Sequence, residues 1–182
     1  MKQLLVFLWL VVLAHMQNLD DSSKSDEASE TKTVHIERIR IHGDRHFMKA
    51  VTLIHEDRFH FDIYVKLDRE LGSNYLIMNI NLRRKLENDR DFIKLFEVKH
   101  MDFCAFLNNP TYRHFFMSSI HLREVLECPI RVGNYSILNI SVINVINPDE
   151  LLKGTYKFFT EIVEVTGEIP KVFAMQLITQ VK

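Results

Sequence analysis

The sequence predicts a mainly β protein, a two-layer sandwich of about eight antiparallel strands with one helix. Two observations lead there. Large apolar residues recur on alternate positions in segment after segment, the period of half-buried strands. The chain also has only two cysteines, Cys104 and Cys128, and they bracket the one stretch where the period turns helical.

The folded part is expected to begin at Val34. Val34 to Ile36 and Ile39 to Ile41 alternate with a phase change at Glu37-Arg38, which predicts a strand carrying a bulge, ended by Gly43-Asp44. A second strand is expected over Lys49 to His55. Phe59, Phe61, Ile63 and Val65 then alternate strictly with His60, Asp62, Tyr64 and Lys66. Leu71 to Asn74 reads as a turn, and Leu76, Met78, Ile80 and Leu82 mark the next strand. The charged run from Arg83 to Asp91 reads as a polar connection, followed by a strand from Ile93 to Phe103 that delivers Cys104.

Between the cysteines, Asn109-Pro110 is a helix start, with asparagine as cap and proline in the first turn. Phe115, Phe116, Ser119, Ile120, Arg123 and Leu126 share one broad face, so a helix is expected from Pro110 to about Leu126. After Cys128-Pro129, Leu138, Ile140, Val142 and Ile146 line one strand face, with Asn144 out of pattern. Asn147 to Asp149 turns the chain. Tyr156, Phe158, Thr160 and Ile162 mark the next strand, Thr166 to Glu168 a turn, and Phe173, Met175, Leu177, Thr179 and Val181 the last strand.

Ahead of this domain, assigned to residues 34–182, two segments differ in kind. Residues 1–14 read as a signal peptide: Lys2 supplies a positive end, Leu4 to Leu13 is uninterrupted and apolar, and cleavage is expected after Ala14. That apolar run is about half the roughly 20 residues needed to span a bilayer. Residues 15–33 are acidic, serine-rich and poor in large apolar groups, which predicts a disordered leader. The expected location is therefore secreted and extracellular, with no integral membrane segment after cleavage. In that oxidising setting the two cysteines are expected to form a disulfide worth about 3 to 4 kcal/mol. Asn134-Tyr135-Ser136 and Asn139-Ile140-Ser141 are glycosylation acceptors, at Asn134 and Asn139.

Other chemistry is not expected, for want of its sequence signals. With 23 basic and 24 acidic residues and no basic stripe, nucleic acid is not an expected partner. His42 and His46 flank Asp44, but Gly43-Asp44 is a turn signal and no Cys or Glu cluster accompanies them, so no metal is assigned. Ser118-Ser119 lacks a glycine elbow, no glycine loop could cradle phosphate, and neither enzymatic activity nor a cofactor is expected. The thirteen phenylalanines have two readings, a packed core or sheets splayed around an apolar pocket, and composition does not choose between them.

Asp102-Phe103-Cys104 with Phe106-Leu107, then Cys128-Pro129-Ile130 with Gly133 and Tyr135, then the run from Pro148 to Tyr156, resemble a large insect family of secreted proteins of unknown function. That family is similar to the chemosensory CheA and CheB proteins and to the ML (MD-2-related) lipid-recognition superfamily. The resemblance spans Asn74 to the C-terminus. It implies an immunoglobulin-like, ML-type sandwich with an apolar cavity, as in the sterol carrier of Niemann-Pick type C disease. It matches Cys104 and Cys128 to the family's pair flanking a helical insertion. The further disulfides of better-known ML proteins have no counterpart here, since no other cysteine exists.

The function so implied is a secreted lipid- or hydrocarbon-binding protein of chemosensory or reproductive tissue. Its expected partners are an apolar small molecule (lipid, sterol or hydrocarbon) and a cell-surface receptor. The residues assigned to the cavity are Phe59, Phe61, Phe96, Phe103, Phe115, Phe116, Tyr156 and Phe158. The alternative is an extracellular protein-binding or co-receptor module with a packed core and no cavity. A third option, an esterase-like enzyme on a β scaffold, has no catalytic pair to nominate.

Overall fold

A strand that alternates apolar and polar side chains must hide one row, and stacking two sheets hides two rows at once. The computed structural model describes residues 32–110, 121–122, 127–142, 151–165 and 171–182. In chain order these form β1 (Val34–Gly43), β2 (Met48–Ile54), β3 (His60–Leu67), β4 (Leu76–Lys85) and β5 (Ile93–Asp102), a short helix α1 (Phe103–Asn108), then β6 (His121–Leu122), β7 (Gly133–Ser141), β8 (Gly154–Glu164) and β9 (Lys171–Val181). One sheet runs β1-β9-β8-β4-β5 and the other β2-β3-β7-β6, all pairs antiparallel. Apolar residues of both sheets meet in shared clusters, Ile36 and Leu177 of the first with Phe61 and Ile140 of the second. The protein is a mainly β sandwich.

The bulge expected in β1 is present, as a register shift between Ile36 and Arg38. The ladder begins one residue before Val34: Thr33 and Lys182 exchange backbone hydrogen bonds of 3.1 and 3.0 Å. Residues 1–31, with the expected signal peptide and most of the expected leader, lie outside the described residues.

Several expectations change. The polar connection expected from Arg83 starts later, because Arg83, Arg84 and Lys85 continue β4 and pair with Lys157, Tyr156 and Thr155 of β8. The strand expected to reach Phe103 stops at Asp102, whose carboxylate accepts the Ala105 N–H at 2.7 Å and caps α1. Of the helix expected over Pro110 to Leu126, Pro110 is helical, while residues 111–120 and 123–126, with Phe115 and Phe116, lie outside the described residues. His121–Leu122 is strand, paired with Leu138 and Ile137 of β7. An unpaired strand edge offers backbone partners that a helical period in the sequence does not reveal.

β7 also departs from simple alternation. Phe61 pairs Ile140 and Ile63 pairs Ile137, so one extra residue is inserted on β7. Asn139, at φ 56°, is the residue that accommodates it, in the left-handed region that asparagine tolerates. Ile137 and Ile140 therefore face the core, and Leu138 falls on the opposite phase. Ile146 and the turns expected at 147–149 and 166–168 lie outside the described residues.

The two sheets are joined at one end. Leu71, between β3 of the second sheet and β4 of the first, exchanges backbone hydrogen bonds of 2.9 and 2.8 Å with Ile130, which precedes β7. Cys104 on α1 and Cys128 form the disulfide, with Cα atoms 5.4 Å apart. Gly72 lies against that bond at φ +100°, where an added Cβ would sit 2.8 and 3.0 Å from the two sulfurs. Leu67, Leu71, Phe103, Ile130 and Met78 are buried around it.

This geometry makes Gly72 a position only glycine fits. Gly72→Ala is expected to destabilise the protein by about 1 to 3 kcal/mol through left-handed strain and contact with sulfur. The Cys104→Ala/Cys128→Ala pair is expected to cost about 3 to 4 kcal/mol. Urea unfolding of each variant beside the parent checks both.

Candidate functional site

The inner face of the five-stranded sheet can be read row by row from its register. Strand pairing aligns Phe96, Leu82, Phe158, Leu177 and Ile39 across β5-β4-β8-β9-β1. Two residues further along lies the row Val98, Ile80, Thr160, Met175 and Ile41. Every member of these two middle rows is half-buried except Leu177, which is buried.

The flanking rows are tighter on β8, while Met101, Phe173 and Arg84 in them are half-buried and Ile93 is exposed. On one side, Tyr156, Thr179 and Ile36 are 2 %, 2 % and 1 % exposed. On the other, Met78 and Ile162 are buried, near the disulfide end. In the middle rows Ile39, Ile41, Phe158 and Met175 pack on Phe61 and Ile140 of the facing sheet, while Phe96, Leu82, Val98 and Ile80, on the β5 and β4 side, keep part of their apolar surface accessible.

The residues assigned from the sequence separate accordingly. Phe96 and Phe158 lie in the middle rows. Phe61 is buried on the facing sheet and packs with Phe158 in one cluster. Tyr156 closes one end, its hydroxyl donating to the Leu152 carbonyl at 2.9 Å, and Phe103 closes the other. Phe59 precedes β3 and packs its ring on His35, with centroids 5.0 Å apart, so it is not brought to this surface. Ile80, Leu82, Val98 and Met175 were missed because attention to phenylalanine passed over aliphatic residues on the same phase.

Arg84 was missed as well. It shares the inward phase of Leu82, two residues on, and stands in the end row beside Tyr156. Its Nε is buried without a hydrogen-bond partner. Burial pushes the Tyr156 phenol above its ordinary value, against the opposing effect of the neighbouring Arg84 guanidinium.

The outer faces carry polar groups that satisfy one another. On the five-stranded sheet a depression of about 340 Å³ is lined by Asn79, Asn81, Arg83, Glu97, Phe159 and Glu161 among others. Asn79 and Asn81 donate to Glu161 and Glu97, both at 3.1 Å, while Lys171 meets Glu161 at 2.8 Å and Lys94 meets Glu97 at 3.0 Å. Lys94 holds the Glu97 carboxyl below its usual range. Burial alone would raise Glu161, but Lys171 and Asn79 outweigh it.

On the four-stranded sheet, Asp62 is buried and accepts from the Asn139 N–H at 2.8 Å, the Tyr64 hydroxyl at 3.1 Å and the His55 ring at 3.0 Å. Burial works to raise its pKa, yet these bonds bring it below the ordinary value. Asp57 meets the His60 ring at 2.6 Å, and that bond, with the Phe59 N–H, lowers its pKa from 3.8 to about 2. Among the described residues no group of three or more His, Cys, Asp or Glu is placed to hold a metal ion.

Acid should expose these two carboxylates. Each binds its proton less readily in the folded chain than in the unfolded one, so unfolding takes up protons at low pH. Their contribution is complete above the unfolded value near 3.8 and is lost as pH falls below it, for Asp57 toward about 2. Melting curves taken from about pH 6 to pH 2 are expected to fall over that window. The Asp57→Asn/Asp62→Asn variant is expected to melt lower at neutral pH but with a shallower acid slope.

Residues 78–158, from Met78 on β4 to Phe158 on β8, match the family described as Protein of unknown function (DUF1091). The matched stretch contains the disulfide, Arg84 and the β4, β5 and early β8 members of the middle rows. No curated protein matches the chain.

Proposed function

We propose that this is a secreted protein that holds an apolar small molecule, a lipid, sterol or hydrocarbon, between its two sheets. The observation that carries the reading is the apolar surface left on the β4 and β5 side of the inner face, where Phe96, Leu82, Val98 and Ile80 are all half-buried. Apolar surface left in the middle of a sandwich is what an apolar guest would cover. The disulfide fits an oxidising compartment. Asn134 and Asn139 are exposed on β7, as glycan acceptors need to be. The resemblance to the CheA, CheB and ML proteins points the same way, toward chemosensory or reproductive tissue. No catalytic role is assigned.

The reading separates from a packed core by substitution. Ile80→Trp is expected to fill the space, abolish uptake of a fluorescent long-chain probe by delipidated protein, and cost less than about 1 kcal/mol. A close-packed core would instead be strained by about 1 to 3 kcal/mol. Urea unfolding and probe titration on the same preparation read both quantities.

A second reading has its own observation. Val51 and Leu53 on β2 are 61 % and 56 % exposed, and Tyr64, paired with Val51, adds to an apolar strip on the outer face of the four-stranded sheet. Such a strip suits contact with a cell-surface receptor, the co-receptor alternative. Val51→Lys/Leu53→Lys is expected to leave probe uptake intact while removing any receptor binding.

A further inference from the structure

We infer that the molecule held between the sheets is an amphiphile with an anionic head, a medium- to long-chain carboxylic acid, and that Arg84 binds its carboxylate. This rests on the reading above and adds the head group to it.

Arg84 pairs with Ile93 of β5 and Tyr156 of β8, in the inward phase that continues through Leu82 and Ile80. A guanidinium stays charged at any physiological pH and presents its donors as a planar fork. In water every donor is satisfied; here the Nε is shut away from solvent and bonded to nothing. Among the described residues no carboxylate pairs with it. Tyr156 takes a hydrogen bond from the guanidinium but supplies no charge, and its own hydroxyl proton is committed to Leu152. Leaving a charged donor desolvated is costly unless a partner is supplied.

The polar groups on the outer faces make a contrast. Glu97, Glu161 and Asp62 already have their partners, so those clusters call for no guest. Arg84 lacks a partner for its Nε, and the residues that precede it on the same phase of β4, Leu82 and Ile80, are apolar. With a rise of about 3.3 Å per residue, Leu82 lies about 7 Å, Ile80 about 13 Å and the buried Met78 about 20 Å further along β4. A carboxylate taking two donors of the guanidinium fork in a bidentate pair would place its tail along those rows. The geometry is that of a charged stop at one end of an apolar track.

Hexadecanoic acid and hexadecanol differ only in the head group, and their affinities for delipidated full-length mature protein can be compared at about pH 8 by calorimetry. The unaltered protein is expected to prefer the acid by about tenfold or more, and Arg84→Gln to lose that preference. Arg84→Lys, which keeps the charge but not the fork, is expected to fall between and carries the test if Arg84→Gln does not fold. An acid-to-alcohol ratio unchanged by either folded variant overturns the inference. Uptake of the alcohol with no preference for the acid also overturns it, while leaving the apolar cavity standing. Uptake of neither removes the cavity reading, and this inference with it.

Discussion

The bond between Cys104 and Cys128 sits where the chain changes sheets, and the rest of the architecture hangs from that point. Cys104 follows β5 of one sheet and Cys128 precedes β7 of the other. Beside them the Leu71 to Ile130 bridge ties the β3 to β4 crossing to the same spot. The two layers are therefore held together covalently and by hydrogen bonds at one end, independently of how well side chains fill the space between them. A sandwich secured this way can keep a loosely filled middle without coming apart.

The inner face is unevenly buried. Met78 and Ile162 on one side and Tyr156, Thr179 and Ile36 on the other are buried, and between them the apolar residues other than Leu177 are half-buried. Arg84 stands in the row that closes the far end from the disulfide. Its position gives the apolar surface a direction, with a charge at one end and a covalent clamp at the other. The outer faces show the opposite economy: their carboxylates are matched by amides, lysines, histidines and a tyrosine hydroxyl, which leaves them complete as solvated surfaces.

Much of the fold was legible because alternation is a local signal. Phe61, Ile63 and Val65, or Phe173 through Val181, announce their strands without reference to anything distant. The bulge at Glu37-Arg38 showed in the same way. What escaped depends on partners. Arg83, Arg84 and Lys85 read as a charged connection, since nothing in their own chemistry reveals that β8 pairs with them. The inserted Asn139 is stabilised by Asp62, far away in sequence. His121–Leu122 is strand because β7 has an edge to offer. At the candidate site, the expected cavity residues were chosen by residue type, from phenylalanine and tyrosine. Ile80, Leu82 and Val98 belong to the apolar surface by phase, and the inward arginine could have been found by extending the Leu76 to Leu82 alternation by one more step.

The central claim is that the middle of this sandwich holds a guest rather than side chains alone. The most direct measurement is a crystal structure of the protein as purified from a eukaryotic secretory host, without delipidation. The account predicts elongated density between the sheets, against Phe96, Leu82 and Phe158 and ending at Arg84. Side chains of the two sheets meeting in van der Waals contact across those rows, with no density between them, would contradict it.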